Sequence, residues 1–137
     1  MNAEGLRIFC LSLPHATEDI KWGHDLCFLI AKKMFAVGSL EQTDEHVVSF
    51  KCTPERFAEL IEIAGIIPAP YMARNHWVTL QRWDALRDDE IRNLILQSYA
   101  LVLAKLPKRL QNELSAPPPK KTGQVAVKKK SKRLSSR

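Results

Sequence analysis

The chain has 137 residues, 45% of them apolar and 26% charged, which is typical of one globular domain and excludes a disordered or fibrous protein. Its net charge is +6, but residues 115–137 carry eight basic side chains and no acidic one. Subtracting those eight from the 21 basic residues leaves 13 against 15 acidic residues in 1–114, so a basic surface over the whole domain is excluded. The basic tail residues are Lys120, Lys121, Lys128, Lys129, Lys130, Lys132, Arg133 and Arg137.

The cysteines and the apolar runs indicate a cytoplasmic protein. No apolar run is long enough to span a membrane, and the N-terminal residues lack the features of a signal peptide. Cys10, Cys27 and Cys52 are odd in number, are flanked by apolar residues and form no CxxC motif. We therefore expect reduced, buried thiols and no contact with membranes.

The first half of the chain predicts a helix followed by a hairpin. A helix over 3–13 has Asn2 as its N-cap and ends before Pro14. Residues 14–25 are mixed in charge and predict a connecting segment. Strand-length apolar runs at 26–30 and 34–38, separated by a short polar break, then predict a β-hairpin.

Alternation and capping signals define the next two elements. In 46–52, Val48 and Phe50 face one side while Ser49 and Lys51 face the other, which predicts a half-buried strand. Thr53 as N-cap and Pro54 at the first helical position begin a helix predicted over 54–64, with Gly65 as its stop.

The second half contains one further strand and one long helix. Two prolines exclude a central strand in 66–72, whereas 75–81 alternate and predict one. Asp88, Asp89 and Glu90 most simply begin a helix over 88–105, because acidic side chains stabilise that end. Residues 108–114 predict a short additional helical turn.

These elements follow the order α-β-β-β-α-β-α, which predicts an α+β fold. We expect a mainly antiparallel four-stranded sheet covered by helices on one face. The domain should span 1–114, followed by a disordered Pro- and Lys-rich basic tail over 115–137. The expected core residues are Phe50, Phe57, Leu60, Ile61, Val78, Leu80, Ile91, Leu94 and Ile95.

Motifs of catalysis and cofactor binding are missing from the sequence. There is no glycine-rich phosphate loop, no GxSxG and no HExxH, and the four histidines lack the spacing of zinc ligands. We therefore expect no enzyme activity, no cofactor and no metal.

The segment Arg74-Asn75-His76-Trp77 is the strongest candidate for a binding surface. Trp77 should lie on the sheet face opposite Val78, and Lys51 should share that face if the two strands pair. An aromatic ring and a cation on a sheet face are typical of nucleic-acid binding, because rings stack on bases and cations contact phosphates. Alternatively, Trp77 covers the end of the sheet or packs under the last helix, and Lys51 is only solvated.

The sequence resembles the MmcQ/YjbR family over about residues 4–110. Ordered motifs carry the resemblance: Leu11-Ser-Leu-Pro14, Thr17-Glu18, Trp22-Gly23, Lys33-Met34-Phe35-Ala36, Ser49-Phe50-Lys51-Cys52, Pro68-Ala-Pro-Tyr71, His76-Trp77-Val78, Ser98-Tyr99 and Ala104-Lys105-Leu106-Pro107. The resemblance implies the fold of the bacterial frataxin homologue, also called a double wing, and a bacterial DNA-binding protein. It also implies a ligand surface at Lys51, Tyr71, Arg74, His76 and Trp77. Two departures are Ala31-Lys32, where a hairpin glycine is usual, and the tail, which the family pattern lacks.

The residues and the resemblance together favour a monomeric, non-enzymatic cytoplasmic protein that binds DNA without sequence preference. The tail should supply most of the phosphate contacts and the sheet face a smaller contact. One alternative is an adaptor that binds a protein partner. Iron binding, as in frataxin-like proteins, is disfavoured because the first helix has only Glu4 as an acid and the next segment adds only Glu18, Asp19 and Asp25.

Overall fold

The computed structural model describes residues 1–40, 46–70 and 72–115. The expected tail from residue 116 onward and the candidate Tyr71 therefore lie outside the described residues. Residues 1–107 form one compact unit, and a second unit begins at Lys108. The elements are α1 (Ala3–Leu11), β1 (Ala16–Lys21), β2 (Asp25–Ile30), β3 (Lys33–Ser39), β4 (Val48–Lys51), α2 (Pro54–Leu60), β5 (Ile66–Pro68), β6 (Trp77–Leu80), α3 (Asp88–Ala104) and α4 (Lys108–Ser115).

The α+β class and the antiparallel sheet are confirmed, but the sheet has six strands rather than four. Its order is β1-β2-β3-β4-β6-β5, and every neighbouring pair is antiparallel. The two unexpected strands are the edges. Most side chains of β1 are exposed, so the strand has no apolar alternation to mark it and 14–25 resembles a loop in sequence. Strand β5 tolerates Pro68 because only edge strands accept proline.

Side-chain caps begin two of the helices as predicted. The Asn2 side chain accepts a hydrogen bond from the Gly5 amide at 2.8 Å, and the Thr53 hydroxyl accepts one from the Arg56 amide at 3.2 Å. Helix α2 ends at Leu60 rather than at 64, and Gly65 has a φ of +90°, which glycine adopts without strain.

The first three helices cover one face of the sheet. That face carries the large buried side chains Phe28, Phe50 and Val78, against which Leu6 of α1 and Ile95 of α3 are also fully buried or nearly so. Most of the expected core residues are buried here. Phe57 and Ile61 are corrections, because both are only half-buried on the short helix α2 near the sheet edge.

Ser98 attaches α3 to the sheet at a β-bulge. The pairing of β2 with β3 skips Phe35, which leaves the Phe35 carbonyl outside the regular ladder. The Ser98 hydroxyl donates to this carbonyl at 2.6 Å and accepts from the Lys51 amide at 3.0 Å. One buried hydroxyl therefore fixes the long helix to β3 and β4 together.

The second face of the sheet is also partly apolar. Cys27, Leu29, Val37, Ala69 and Trp77 form a buried cluster there, against which two methionines pack. The strands between the two edges are therefore buried on both faces, so this second face is not the solvated surface that the alternation alone suggests.

All three cysteines are buried and free, as the sequence predicts. Burial raises the pKa of the Cys10 thiol to about 12 and that of the Cys52 thiol to about 11. Among the described helices, none combines the length and the apolar character that a membrane crossing requires.

Candidate functional site

A short segment between β5 and β6 positions the candidate residues at one end of the sheet. A single helical turn, Ala73–Asn75, leads to His76, whose backbone is left-handed with a φ of 64°. The Trp77 amide then donates to the Met72 carbonyl at 3.3 Å. This loop places the Asn75 carbonyl 2.9 Å from the Nζ of Lys51, which donates to it.

The structure brings two of the sequence-predicted site residues together. Lys51 and Trp77 are direct partners in the pairing of β4 with β6. Trp77 is only 6% exposed, so its ring covers the sheet instead of offering a free stacking surface. Arg74 is exposed, while His76 packs edge-on against Phe57 with ring centroids 5.5 Å apart.

Three lysines from different elements line one cavity of about 420 Å³, here called the lysine pocket. Lys33 begins β3, Lys51 ends β4 and Lys105 caps the C-terminus of α3. No carboxylate lies among the described residues that line it. The other described lining residues are Met34, Met72, Asn75, Trp77, Val102 and Leu106.

Two lysines of this pocket, Lys51 and Lys105, repel each other. Burial lowers the pKa of Lys51, and the positive charge of Lys105 lowers it further. A bound anion would relieve this repulsion and would offset the charge that is removed from water. The chemistry of the lysine pocket therefore suits a phosphate or a carboxylate.

Sequence reasoning missed Lys33 and Lys105 as site residues. They are separated from Lys51 by long stretches of chain, and only the folded register brings the three together. A signal was present, because both residues stand inside motifs that carry the family resemblance. Lys33 is placed by the two-residue hairpin turn Ala31-Lys32, in which both residues have positive φ, 50° and 68°.

A second cavity of about 470 Å³, here called the sheet-face pocket, lies over the middle of the second face. Ser49 and Thr79 contribute a buried pair of hydroxyls 2.7 Å apart. His46 lies at the same pocket, and its pKa is lowered chiefly by burial. Its Nε2 atom is buried and finds no hydrogen-bond partner among the described residues. Other described lining residues include Asp25, Met34, Val37, Ala69, Met72 and Gln81.

Two of the acidic residues near the first helix are already engaged with cations. Glu18 forms a double hydrogen bond with Arg7, both contacts at 2.8 Å, and Asp19 lies 3.7 Å from the Lys21 ammonium. Within the described ranges, no group of three or more side chains is arranged to hold a metal ion.

The fold and the site define a small α+β protein with two adjoining cavities, one over the second face of its sheet and one lined by lysines at the end of the sheet. The family model YjbR matches residues 11–101. The chain therefore belongs to the YjbR family, and the expected membership is confirmed.

Solved structures agree with this assignment. The crystal structure of Deinococcus radiodurans protein DR2400, with the domain called DUF419, is 27% identical, with a TM-score of 0.74. The match covers 91% of this chain and 96% of that one. A Pseudomonas syringae protein is 23% identical, with a TM-score of 0.60 over 74% of this chain and 98% of its own, and shares the fold. No curated protein matches the chain.

Proposed function

We propose that this protein binds DNA through phosphate contacts at the lysine pocket, with further contacts from the basic tail. One observation carries the proposal: Lys33, Lys51 and Lys105 line one cavity without a carboxylate among the described lining residues. Contacts between basic side chains and the phosphate groups of DNA provide a large share of the affinity in protein–DNA binding.

The position of these lysines matters because the rest of the domain does not attract DNA. Residues 1–114 carry a net charge of −2. Charges are screened over roughly 8–10 Å at physiological salt, so a local group of three cations still presents a positive surface to a nearby phosphate. Arg74, exposed in the same loop as Asn75, extends this surface.

The test compares two triple variants of the full chain. Lys33→Gln, Lys51→Gln and Lys105→Gln remove the pocket charges. The control variant removes three positive charges outside the lysine pocket, through Arg82→Gln, Arg87→Gln and Arg92→Gln. At 1.5 Å per helical residue, Arg92 lies about 20 Å along α3 from Lys105.

Affinity for a labelled duplex is measured by fluorescence anisotropy over a range of salt concentrations. We expect the pocket variant to reduce the salt slope by roughly 0.9 for each lost contact, and so by nearly three in all. The arginine variant should change the slope by less than one. Equal effects of the two variants would show that net charge, and not the pocket, determines binding.

We also propose that the protein acts by binding alone, in the cytoplasm. Three buried, free thiols support the cytoplasmic assignment, because such thiols persist in a reducing compartment.

A second candidate function is that of an adaptor for a protein partner. It is favoured by exposed apolar side chains at the β1 edge, where Ile20 is 57% and Trp22 is 65% exposed. If duplex DNA fails to bind the full chain at low salt, this candidate replaces the first. The Trp22→Ser variant would then no longer bind the protein partner. The control variant Leu96→Ser, which changes an exposed residue of α3, would still bind it.

A further inference from the structure

We propose that the lysine pocket and the sheet-face pocket together hold one unpaired nucleotide, with its phosphate at the lysines and its base across the sheet. This inference rests on the proposed function, because it assigns the phosphate to the same three lysines. It goes further in naming the ligand as a nucleotide whose base is free.

The two pockets adjoin at two flexible side chains. Met34 and Met72 line both of them and pack against the apolar cluster of the second face. Methionine side chains are unbranched and polarisable, and they make favourable contacts with the faces of aromatic rings. A planar base lying between the pockets would contact both methionines.

Polarity changes along the two pockets in the order that a nucleotide requires. The lysines lie at one end and the methionines in the middle. At the far end the sheet-face pocket offers Asp25 and the hydroxyls of Ser49 and Thr79. A nucleotide likewise carries a phosphate, a sugar and then a flat base whose edge donates and accepts hydrogen bonds. The volumes, about 420 and 470 Å³, lie in the range of small-molecule sites.

Other anions fit the far end less well. An aliphatic carboxylate would satisfy the lysines, but its chain would form no hydrogen bond in the sheet-face pocket, where the buried Nε2 of His46 has no partner among the described residues. A base in a duplex is stacked and paired, and removing it from the stack costs free energy that an unpaired strand does not spend. Single-stranded DNA should therefore bind more tightly than duplex DNA of the same length.

The experiment uses the full chain with ¹³C-methyl methionine and observes all three methionine methyl groups by NMR. The ligands are a single-stranded mixed-sequence oligonucleotide, the same strand with abasic sites throughout, the matching duplex and a free nucleoside monophosphate. We expect the base-bearing strand to shift the Met34 and Met72 methyl signals, while Met1 serves as an internal control because it lines neither pocket. The abasic strand places phosphates but no aromatic ring beside these methyl groups, so it should shift the Met34 and Met72 signals much less and leave the Met1 signal in place.

Two variants test the same point by affinity. Met72→Trp fills the junction of the pockets and should remove a preference of at least tenfold for the base-bearing strand over the abasic strand. Leu96→Trp, on an exposed position of α3, should keep that preference. Circular dichroism checks folding, and the methyl shifts of the unmodified chain decide the matter if Met72→Trp fails to fold.

Each outcome separates the two proposals. Equal binding of the base-bearing and abasic strands, with equal shifts of the Met34 and Met72 signals, overturns the nucleotide site and leaves phosphate binding intact. Shifts with the free monophosphate alone support the pocket but overturn the DNA role. Failure of all four ligands to bind overturns both proposals.

Discussion

Burial of the cysteine thiols should make the stability of this protein depend on alkaline pH. Cys10 and Cys52 are 0% and 2% exposed, and burial raises their pKa values to about 12 and about 11 from an ordinary 9.0. The unfolded chain therefore loses these protons first as the pH rises. The free energy of unfolding should fall above pH 9.0, by about 1.4 kcal/mol per pH unit for each thiol, up to its folded pKa.

Urea unfolding at pH values between about 8 and about 10 measures this effect. We expect Cys10→Ala to make the dependence on pH shallower by the contribution of one thiol. The exposed substitution Ser12→Ala should leave it unchanged. A Cys10→Ala variant with the slope of the unmodified protein would contradict the argument.

The residues of the β2–β3 turn are poorly suited to their backbone conformation. Ala31 and Lys32 both have positive φ, in a turn type that favours Asn-Gly. We expect Lys32→Gly to raise the free energy of unfolding by about 0.5–1 kcal/mol, because glycine adopts this conformation without steric cost. Thermal unfolding checks the change. Lys33→Gly, one residue into β3, should lower stability instead, and an increase there would contradict the assignment of the turn.

At the scale of elements, the attachment of α3 to the sheet depends on one hydroxyl. Ser98 satisfies the Phe35 carbonyl and the Lys51 amide, and its side chain is fully buried. We expect Ser98→Ala to lower the free energy of unfolding by about 1–3 kcal/mol, because two backbone groups lose their partner. Ser12→Ala, which removes the exposed contact of Ser12 with the Phe9 carbonyl, should cost under about 0.5 kcal/mol. Equal losses in denaturant unfolding would show that the bridge contributes nothing.

Elements with a clear apolar period were predictable from sequence, and those without one were not. Strand β4 alternates and α3 has an apolar stripe, so both were found. Strand β1 lies at the edge with most of its side chains exposed, and β5 has only three residues including a proline. Nothing in their local sequence separates them from loops; only the pairing with their neighbours makes them strands.

Only the part of the site that lies on the paired strands β4 and β6 was predictable from sequence. The pairing of Lys51 with Trp77 follows from two alternation patterns. Lys33 lies beside a hairpin turn and Lys105 at the end of a helix. No periodic pattern in the sequence predicts that these two lysines come close to Lys51. Burial of Trp77 was one of two alternatives that the sequence left open, and the packing of Met34 from β3 and Met72 from the loop before β6 against its cluster decides between them.

At the scale of the whole molecule, the basic tail and the lysine pocket should contribute different amounts to the salt dependence of DNA binding. The tail carries eight basic residues, so its contribution to the salt slope is at most roughly 7. We expect truncation after Leu114 to weaken duplex binding by orders of magnitude at low salt. A peptide of residues 115–137 should also bind without sequence preference, but with a smaller salt slope than the full chain because it lacks the three pocket lysines.

The truncated chain then isolates the lysine pocket. Its remaining affinity should be weak, and the Lys33→Gln, Lys51→Gln and Lys105→Gln triple variant should remove it. A truncated chain with unchanged affinity would place the main contact within residues 1–114 and would refute the role given to the tail. Anisotropy titrations at several salt concentrations compare the truncated chain and the tail peptide with the full chain.

The strand order also has a consequence for the rate of folding. Strands β1 to β4 are neighbours both in sequence and in the sheet, whereas β6 reaches β4 only after α2 and β5 have intervened. Local hairpins form within about 1–10 μs, and long loops close more slowly. We expect the β1–β4 meander to be formed in the transition state, with β6 and α3 docking afterwards. In stopped-flow measurements Lys32→Gly should therefore accelerate folding, and Val78→Ala should mainly accelerate unfolding.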